Sequence, residues 1–184
     1  AAKLAGQIRA ELGRRLELID NSEFKMCFIV DFPMYEIDEE TGAYIFTHNP
    51  FSMPQGGLQA LLEKEPTEIL AYQYDIVCNG VELSSGAVRN HDLPTMIKAF
   101  EIAGYTEEKI EESFPALYNA FKFGPPPHAG MAPGINRMIM LLTEEENIRE
   151  VIPFPMNSNA QDLLLGAPTE VTEQQLREVH IKIR

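Results

Sequence analysis

The sequence predicts an α+β fold in which a mainly antiparallel sheet is flanked by helices. The strongest local observation is the dipeptide Asn79-Gly80 between two strand-like runs, because both residues tolerate positive φ and favour a tight hairpin. The strand-like segments are separated by hairpins and loops more than by regular βαβ units. The chain has 184 residues, of which 45% are apolar, which suffices for one core and a small appendage.

The first half of the chain alternates helical, β-prone and turn-rich segments. Leu4, Ile8, Leu12 and Leu16 recur at helical spacing, runs rich in Phe, Ile, Val and Tyr favour strands, and a stretch with three prolines and two glycines predicts a loop. In order, these patterns predict a helix over 2–18 ended by residues 19–22, a strand over 24–32 closed by Pro33, an acidic turn over 36–42, a strand near 44–47, and an ordered loop over 49–66 with one helical turn at 58–63.

The second half begins with the predicted hairpin and continues with helices. Segments with an acidic residue or a threonine near their start favour helices, and the run of three prolines after Gly124 is a rigid stop. In order, the patterns predict hairpin strands over 71–78 and 81–90, helices over 94–103 and 106–123, a small-residue strand leading into Gly134, a helix to about residue 143, a strand over 151–154, and a last helix over 172–179.

Charge and cysteine content exclude some classes of protein. The net charge of −13 argues against a broad polyanion-binding surface, so any nucleic-acid contact is expected to be local. Cys27 and Cys78 lie in apolar strand-like runs and are expected to be buried free thiols in a reducing compartment. No apolar run has membrane-spanning length. Because the chain starts at Ala1 rather than at methionine, we expect it to be processed or to be a piece of a longer protein.

The segment over residues 128–142 is a candidate site for a phosphorylated ligand. Gly134 allows close approach to the backbone, and the helix that follows presents N–H groups at its start, which favour an anion. Arg137, in the first turn of that helix, offers a forked and permanently charged clamp for a phosphate. The residues alone also permit an alternative, a glycine-rich turn with a surface arginine.

Two acidic residues are predicted to share one face of the hairpin. With Asn79-Gly80 as a two-residue turn, Val77 pairs with Glu82, and Asp75 becomes the diagonal neighbour of Glu82. Two neighbouring carboxylates are costly unless a cation joins them, and Mg²⁺ carrying the phosphates of a nucleotide would satisfy both. Two solvated acids on a wet sheet face are the alternative.

Arg89 and His48 are the remaining candidates. Arg89, near the end of the second hairpin strand, is a candidate bidentate clamp for a carboxylate. Strict alternation puts it on the face opposite Glu82, so this role requires a β-bulge, which we expect at the Ser85-Gly86 step. An arginine paired with a surface acid is the alternative. His48 lies in a polar loop with bulky anchors, where a structural hydrogen-bond donor is the alternative.

Taken in order, these motifs resemble the bacterial-type aspartyl-tRNA synthetases, which are class II aminoacyl-tRNA synthetases, in the C-terminal part of their catalytic domain. The resemblance runs from the first helix to the last residues. The segments that carry it are VDFP at 30–33, THNPF at 47–51, YDIVCNGVEL at 74–83, SSGAVRNH at 84–91, FGPPPHAG at 123–130, GINR at 134–137, NIREVIPFP at 147–155 and EQQLREVH at 173–180.

The resemblance implies part of a class II catalytic core and assigns roles within it. Residues 1–22 would be a helix returning from an inserted domain, and residues 23–184 the C-terminal half of the catalytic domain with motif 3. The implied roles are catalysis by Arg137 and Glu82, ATP binding by Glu82, Gly134, Ile135, Asn136 and Arg137, aspartate binding by His48 and Arg89, and Mg²⁺ binding by Asp75 and Glu82.

The resemblance also implies an activity. The parent enzyme would be an aspartate–tRNA ligase, which uses ATP to make aspartyl-adenylate and transfers the aspartyl group to the 3′ end of tRNA. It would be a cytoplasmic homodimer without a membrane segment. Motifs 1 and 2 and the anticodon-binding barrel of the family have no counterpart in the sequence, so the isolated chain is expected to be inactive. The alternatives are a synthetase-like paralogue that only binds a nucleotide or an amino acid, and an ammonia-dependent ligase like asparagine synthetase.

Overall fold

The computed structural model describes residues 2–20 and 22–183, so Ala1, Asn21 and Arg184 lie outside the described residues. The chain divides into two units, Ala1–Gly134 and Ile135–Arg184. In chain order the elements are α1 (Ala2–Arg15), β1 (Met26–Pro33), β2 (Tyr35–Ile37), β3 (Tyr44–Phe46), α2 (Gly57–Glu63), β4 (Leu70–Cys78), β5 (Val81–Val88), α3 (Leu93–Ile102), α4 (Glu107–Ser113), α5 (Pro115–Phe121), β6 (Ala129–Pro133), α6 (Ile135–Leu142) and α7 (Glu173–Glu178).

The main sheet of the first unit confirms the predicted antiparallel α+β architecture. Four strands lie in the order β1-β4-β5-β6, and each neighbouring pair is antiparallel. The hairpin between β4 and β5 is also confirmed, because Asn79 and Gly80 have φ values of 48° and 81°, as a primed two-residue turn requires. Asn79 Oδ1 additionally accepts a 2.9 Å hydrogen bond from the backbone N–H of Lys25, which ties the start of β1 to the turn.

Three predictions about elements were wrong. The helix over 106–123 is interrupted at Phe114, whose ψ is 50°, because a residue that precedes a proline disfavours the helical conformation. The predicted strand over 151–154 is absent, and Val151 instead ends the 3-10 helix Ile148–Val151. The predicted acidic turn over 36–42 is wrong only at its start, because Glu36 and Ile37 belong to β2, which pairs with β3 in a two-stranded ladder. The turn itself is confirmed, since the N–H of Gly42 donates a 2.9 Å hydrogen bond to the carbonyl of Asp38.

Two apolar clusters form the core of the first unit. One joins β2, α2, α3 and the start of β4. The phenol of Tyr35 is buried there and donates a 2.9 Å hydrogen bond to the carbonyl of Ala99, and burial raises the pKa of Tyr35 well above its usual value. The second cluster joins α3, α4 and α5 around Phe100, whose ring contacts those of Phe46, Phe51 and Phe114. Through Ile69 and Ala71, the first cluster packs against the start of β4.

Strand β1 and helix α1 carry large exposed apolar side chains. Met26 is 67% exposed and Phe28 66% exposed. Cys27 on the same strand is exposed, so the prediction that both cysteines are buried was wrong for Cys27 and confirmed for Cys78. The apolar stripe predicted for α1 is likewise exposed, from Leu4 to Leu16. No helix within residues 2–20 and 22–183 combines the length and the apolar character that crossing a membrane would need.

The second unit consists of α6, the 3-10 helix Ile148–Val151, a long irregular segment and α7. The predicted N-terminal helix of this region and the last helix are confirmed. Helix α7 begins with a capping box, in which Thr172 and Gln175 each satisfy a backbone N–H of the other. The buried carboxylate of Asp162 accepts hydrogen bonds from the N–H groups of Leu164 and Leu165, which fixes the turn that carries the exposed leucines 163–165.

Candidate functional site

A cavity of about 640 Å³ opens on one face of the main sheet. Its volume is in the range of small-molecule binding sites. All of its lining residues belong to the first unit. Among them are four of the residues singled out from the sequence, His48, Asp75, Glu82 and Arg89.

A β-bulge at Leu83 brings Glu82 and Arg89 to the same cavity. Val77 pairs with Glu82, whereas Ile76 pairs with Ser84, so Leu83 has no partner in the ladder with β4. The extra residue reverses the alternation of side chains for the rest of β5. A bulge was predicted for this reason, but its predicted position at Ser85-Gly86 was wrong. Leu83 is buried, and its carbonyl accepts a 2.7 Å hydrogen bond from the N–H of Gly134, which holds the bulge in place.

Asp75 lies on the neighbouring strand and lines the same cavity. Because of the bulge its direct partner is Ser85, whereas the uninterrupted ladder predicted from the turn would have put Ser84 opposite it. The small side chain of Ser85 leaves space above the sheet next to Asp75. The cavity therefore contains two carboxylates and one guanidinium, which suits a ligand that carries both a cation and a carboxylate.

The segment over residues 47–54 supplies His48 and Asn49 to the lining of the cavity. It is held to β4 and β5 by the isolated bridges Ser52↔Arg89 and Pro54↔Ala71. The side chain of Asn49 accepts a 2.9 Å hydrogen bond from the N–H of Phe51, which closes a local turn. His48 precedes that turn and is exposed, and its ring packs edge-on against Phe32 with centroids 5.0 Å apart. His48 is thereby held at the mouth of the cavity.

Gln73 also lines the cavity, and the sequence analysis did not select it. Its side chain is 8% exposed, and its Nε2 donates a hydrogen bond of 3.3 Å to the carbonyl of Asn49. It therefore connects the floor of the sheet to the loop that carries His48. The signal was present in the sequence, since Gln73 lies two residues before Asp75 and must share its face in a regular strand.

The floor of the cavity also depends on a close approach between backbone and an aromatic ring. Gly86 lies opposite Tyr74 on one side and Met131 on the other. The phenol of Tyr74 crosses β5 and donates a 3.0 Å hydrogen bond to the carbonyl of Gly130. A side chain at Gly86 would collide with this arrangement, so the glycine permits it.

Arg137, Ile135 and Asn136 lie in the first turn of α6 and belong to the second unit. The side chain of Arg137 is exposed. Gly134 ends the first unit, and its N–H is engaged with Leu83, so the N–H groups at this helix start that favour an anion begin after Gly134. The ATP-binding roles of these four residues stay predictions.

The described residues contain no cluster of three or more histidine, cysteine, aspartate or glutamate side chains with the arrangement of a metal site. The two carboxylates at the cavity nevertheless suit Mg²⁺, because proteins usually bind this ion through one or two carboxylates together with substrate phosphates. Asp75 and Glu82 are the residues of the cavity that offer such oxygens.

Comparison with known families gives one match over most of the chain. A family model described as "tRNA synthetases class II (D, K and N)" matches residues 4–158. The region includes all of the main sheet, the cavity and the GINR segment.

Curated relatives and solved structures agree with this match. The chain is 61% identical to an aspartate–tRNA(Asp/Asn) ligase of Paramagnetospirillum magneticum, covering 100% of the chain and 21% of that protein. It is 58% identical to an aspartate–tRNA ligase of Streptomyces coelicolor, covering 100% of the chain and 31% of that protein. An aspartyl-tRNA synthetase structure from Entamoeba histolytica has a TM-score of 0.55 at 24% identity, covering 83% of this chain and 26% of the other, and so shows a common fold.

Proposed function

The chain belongs to the class II tRNA synthetases of the aspartate, lysine and asparagine group, and we propose that it is a part of the catalytic domain of an aspartate–tRNA ligase. The chain spans about a fifth to a third of the length of the curated relatives that it matches, 21% and 31% in two of them. The proposed activity therefore belongs to the complete gene product. That activity is activation of aspartate by ATP, followed by transfer of the aspartyl group to the 3′ end of tRNA.

The presence of Asp75, Glu82 and Arg89 around one cavity carries this proposal. A guanidinium can take the side-chain carboxylate of aspartate in a planar, two-point contact. The two carboxylates can hold Mg²⁺ together with the phosphates of ATP, and Mg²⁺ when bound would neutralise the charge that develops during adenylate formation. His48 at the cavity mouth is assigned to the bound amino acid. No residue is required as a covalent nucleophile, since positioning and charge stabilisation suffice.

The GINR segment is assigned to the nucleotide. Arg137 would contact the phosphates of ATP, and Gly134, Ile135 and Asn136 would line the same part of the nucleotide site. The names of the curated relatives support aspartate and tRNA as substrates of the complete protein. A homodimer and a cytoplasmic location are part of the same proposal, as is the assignment of residues 1–22 to a helix returning from an inserted domain.

The test is aspartate-dependent exchange of pyrophosphate into ATP by the complete gene product, followed by aminoacylation of purified tRNA. We expect exchange that requires both aspartate and Mg²⁺, and aspartyl transfer to tRNA. Exchange without any transfer to tRNA, combined with formation of free asparagine when ammonia is added, would assign the protein to the asparagine synthetase-like alternative. Binding of ATP or aspartate without exchange would assign it to a non-charging paralogue.

A further inference from the structure

The loop that carries His48 has backbone anchors at its two ends. At its start, the N–H of Thr47 donates a 3.1 Å hydrogen bond to the carbonyl of the residue that follows β1. At its far end, the N–H of Met53 donates a 2.8 Å hydrogen bond to the last carbonyl of β5. His48 and Asn49, which line the cavity, lie between these anchors, so their placement depends on further contacts.

Gln73 supplies such a contact from the floor of the cavity. It lies in β4, two residues before Asp75 and directly opposite Ala87, and the small side chain of Ala87 leaves room for a longer one beside it. Nε2 of Gln73 donates the 3.3 Å hydrogen bond to the carbonyl of Asn49. Because a carbonyl can only accept, this bond fixes the orientation of the amide, with Nε2 toward the loop.

The burial of Gln73 indicates that its amide has a role beyond packing. The residue is 8% exposed, so the amide is largely removed from water. Burying an amide costs free energy unless hydrogen bonds replace those to water, and the bond of 3.3 Å to the Asn49 carbonyl does so only in part. An apolar side chain of the same length would be buried here at lower cost. The amide therefore serves the contact with the loop.

The ring of His48 has a second contact, on the side of β1. Phe32 also lines the cavity and packs edge-on against the imidazole, with ring centroids 5.0 Å apart. Edge-to-face contacts favour one relative orientation of two rings. His48 is thus held through its ring by Phe32 and through the following residue by Gln73.

We propose that Gln73 is a positioning residue for amino-acid binding. Its hydrogen bond to the carbonyl of Asn49 holds the adjacent His48 in the orientation in which the imidazole meets the bound aspartate. Gln73 itself does not touch the reacting atoms. The inference rests on the proposed function in one respect, the role of His48 toward the amino acid, and it adds a residue of β4 that controls this role.

The kinetic test is Gln73→Met in the complete gene product. Methionine has a similar length and flexibility but cannot donate a hydrogen bond to the loop. We expect the KM for aspartate, measured by pyrophosphate exchange, to rise about fivefold, as loss of one neutral hydrogen bond does. The KM for ATP and kcat should stay within about twofold of the wild type. A merely structural role predicts that both KM values or kcat change together, and this result, like an unchanged KM for aspartate, would overturn the inference.

Gln55→Met is the matched control. Nε2 of Gln55 also donates a side-chain hydrogen bond, 2.7 Å long, to Asp31. Gln55 directly follows the loop over 47–54 but is not among the residues that line the cavity. Both KM values should therefore stay within about twofold of the wild type. If Gln55→Met raised the KM for aspartate as much as Gln73→Met, the effect would not depend on the contact with Asn49, and the inference would be rejected.

A double-mutant cycle with His48→Ala provides the second readout. If Gln73 acts through His48, the effect of Gln73→Met on the KM for aspartate should shrink to less than about twofold once His48 is replaced. Effects that multiply would contradict the coupling. An unchanged KM for aspartate in His48→Ala alone would reject the role of His48 and the inference with it.

A crystal structure of the wild-type complete protein with bound aspartate gives an outcome even where a variant fails to fold. Nε2 of Gln73 is expected within hydrogen-bonding distance of the Asn49 carbonyl, with the imidazole of His48 against the amino acid. An amide of Gln73 that is turned away from the loop and onto the substrate rejects the positioning role. Absence of aspartate-dependent exchange in the wild type would instead reject the proposed function.

Discussion

Substitution of Gly86 by alanine tests the architecture beneath the candidate site. A Cβ at Gly86 would lie 2.5 Å from the carbonyl oxygen of Gly130, would collide with Cε2 of the Tyr74 ring and would lie 3.0 Å from Cζ of that ring. Gly86 does not have a positive φ, so the expected damage comes from steric contact and not from backbone strain. The ring can rotate or shift, but the Gly130 carbonyl is part of the ladder between β5 and β6 and can move only if the strands separate.

The free-energy cost of Gly86→Ala depends on which of these contacts can relax. Overpacking in a well-packed region costs about 1–3 kcal/mol. Because one of the two collisions involves backbone, we expect about 3 kcal/mol, which corresponds to a roughly 100-fold change in an opening equilibrium. The change should be local to β4, β5 and β6, since these strands pair on either side of Gly86.

Hydrogen exchange of peptides that cover β4 and β5 in the complete gene product is the appropriate assay, because it reports local opening. Gly130→Ala is the matched control, since Gly130 is on the adjacent strand and a Cβ there meets nothing within 4 Å. Gly86→Ala should accelerate exchange about 100-fold, and Gly130→Ala by less than about threefold. Tyr74→Val should rescue Gly86→Ala only in part. Equal protection in Gly86→Ala and Gly130→Ala would refute the reasoning.

Three further predictions concern single side chains. Arg89→Lys should raise the KM for aspartate about 100-fold and the KM for ATP far less, because lysine cannot make the planar two-point contact to a carboxylate. Both KM values are measured by pyrophosphate exchange. An equal rise in both would show that Arg89 does not determine specificity for aspartate. Glu82→Gln should raise the Mg²⁺ concentration needed for half-maximal exchange by about tenfold or more, since an amide is a poorer ligand for a hard cation, and an unchanged Mg²⁺ titration would contradict the assignment. The hydrogen bond from Tyr118 to Glu107 raises the pKa of Tyr118 from 10.0 to about 12, so its contribution to stability is complete below pH 10 and is lost as pH rises through 12. Thermal melting between these pH values should therefore fall more steeply for the wild type than for Tyr118→Phe, and parallel curves would refute the linkage.

The sequence predicted the secondary-structure elements that neighbouring residues in the chain determine. The Asn79-Gly80 turn specified the hairpin and its first pairs, Cys78↔Val81 and Val77↔Glu82, because a primed turn fixes register at its ends. The break at Phe114 also had a local signal, Pro115, which the helical spacing on either side concealed. The exposure of Cys27 had no local signal, because an apolar, β-prone sequence looks the same on a buried strand and on an exposed β1.

The position of the bulge shows why the sequence predicted which residues form the candidate site but not the backbone conformation that brings them together. The proposed roles of Glu82 and Arg89 need both side chains on one face of the sheet, whereas strict alternation along β5 puts them on opposite faces. An irregularity between the two residues could therefore be predicted from function alone. Where it falls is decided by contacts that the order of residues along β5 does not reveal. Leu83 is a large apolar residue and is buried, and its displaced carbonyl needs a donor, which Gly134 supplies just after the end of β6. Gly134 therefore helps to place Arg89, although the sequence suggested only a role in ligand approach. The glycine of GINR and the arginine of SSGAVRNH lie in separate sequence motifs. Within the first unit they are linked through Leu83, whose carbonyl accepts the hydrogen bond from Gly134 and which precedes Arg89 in the chain.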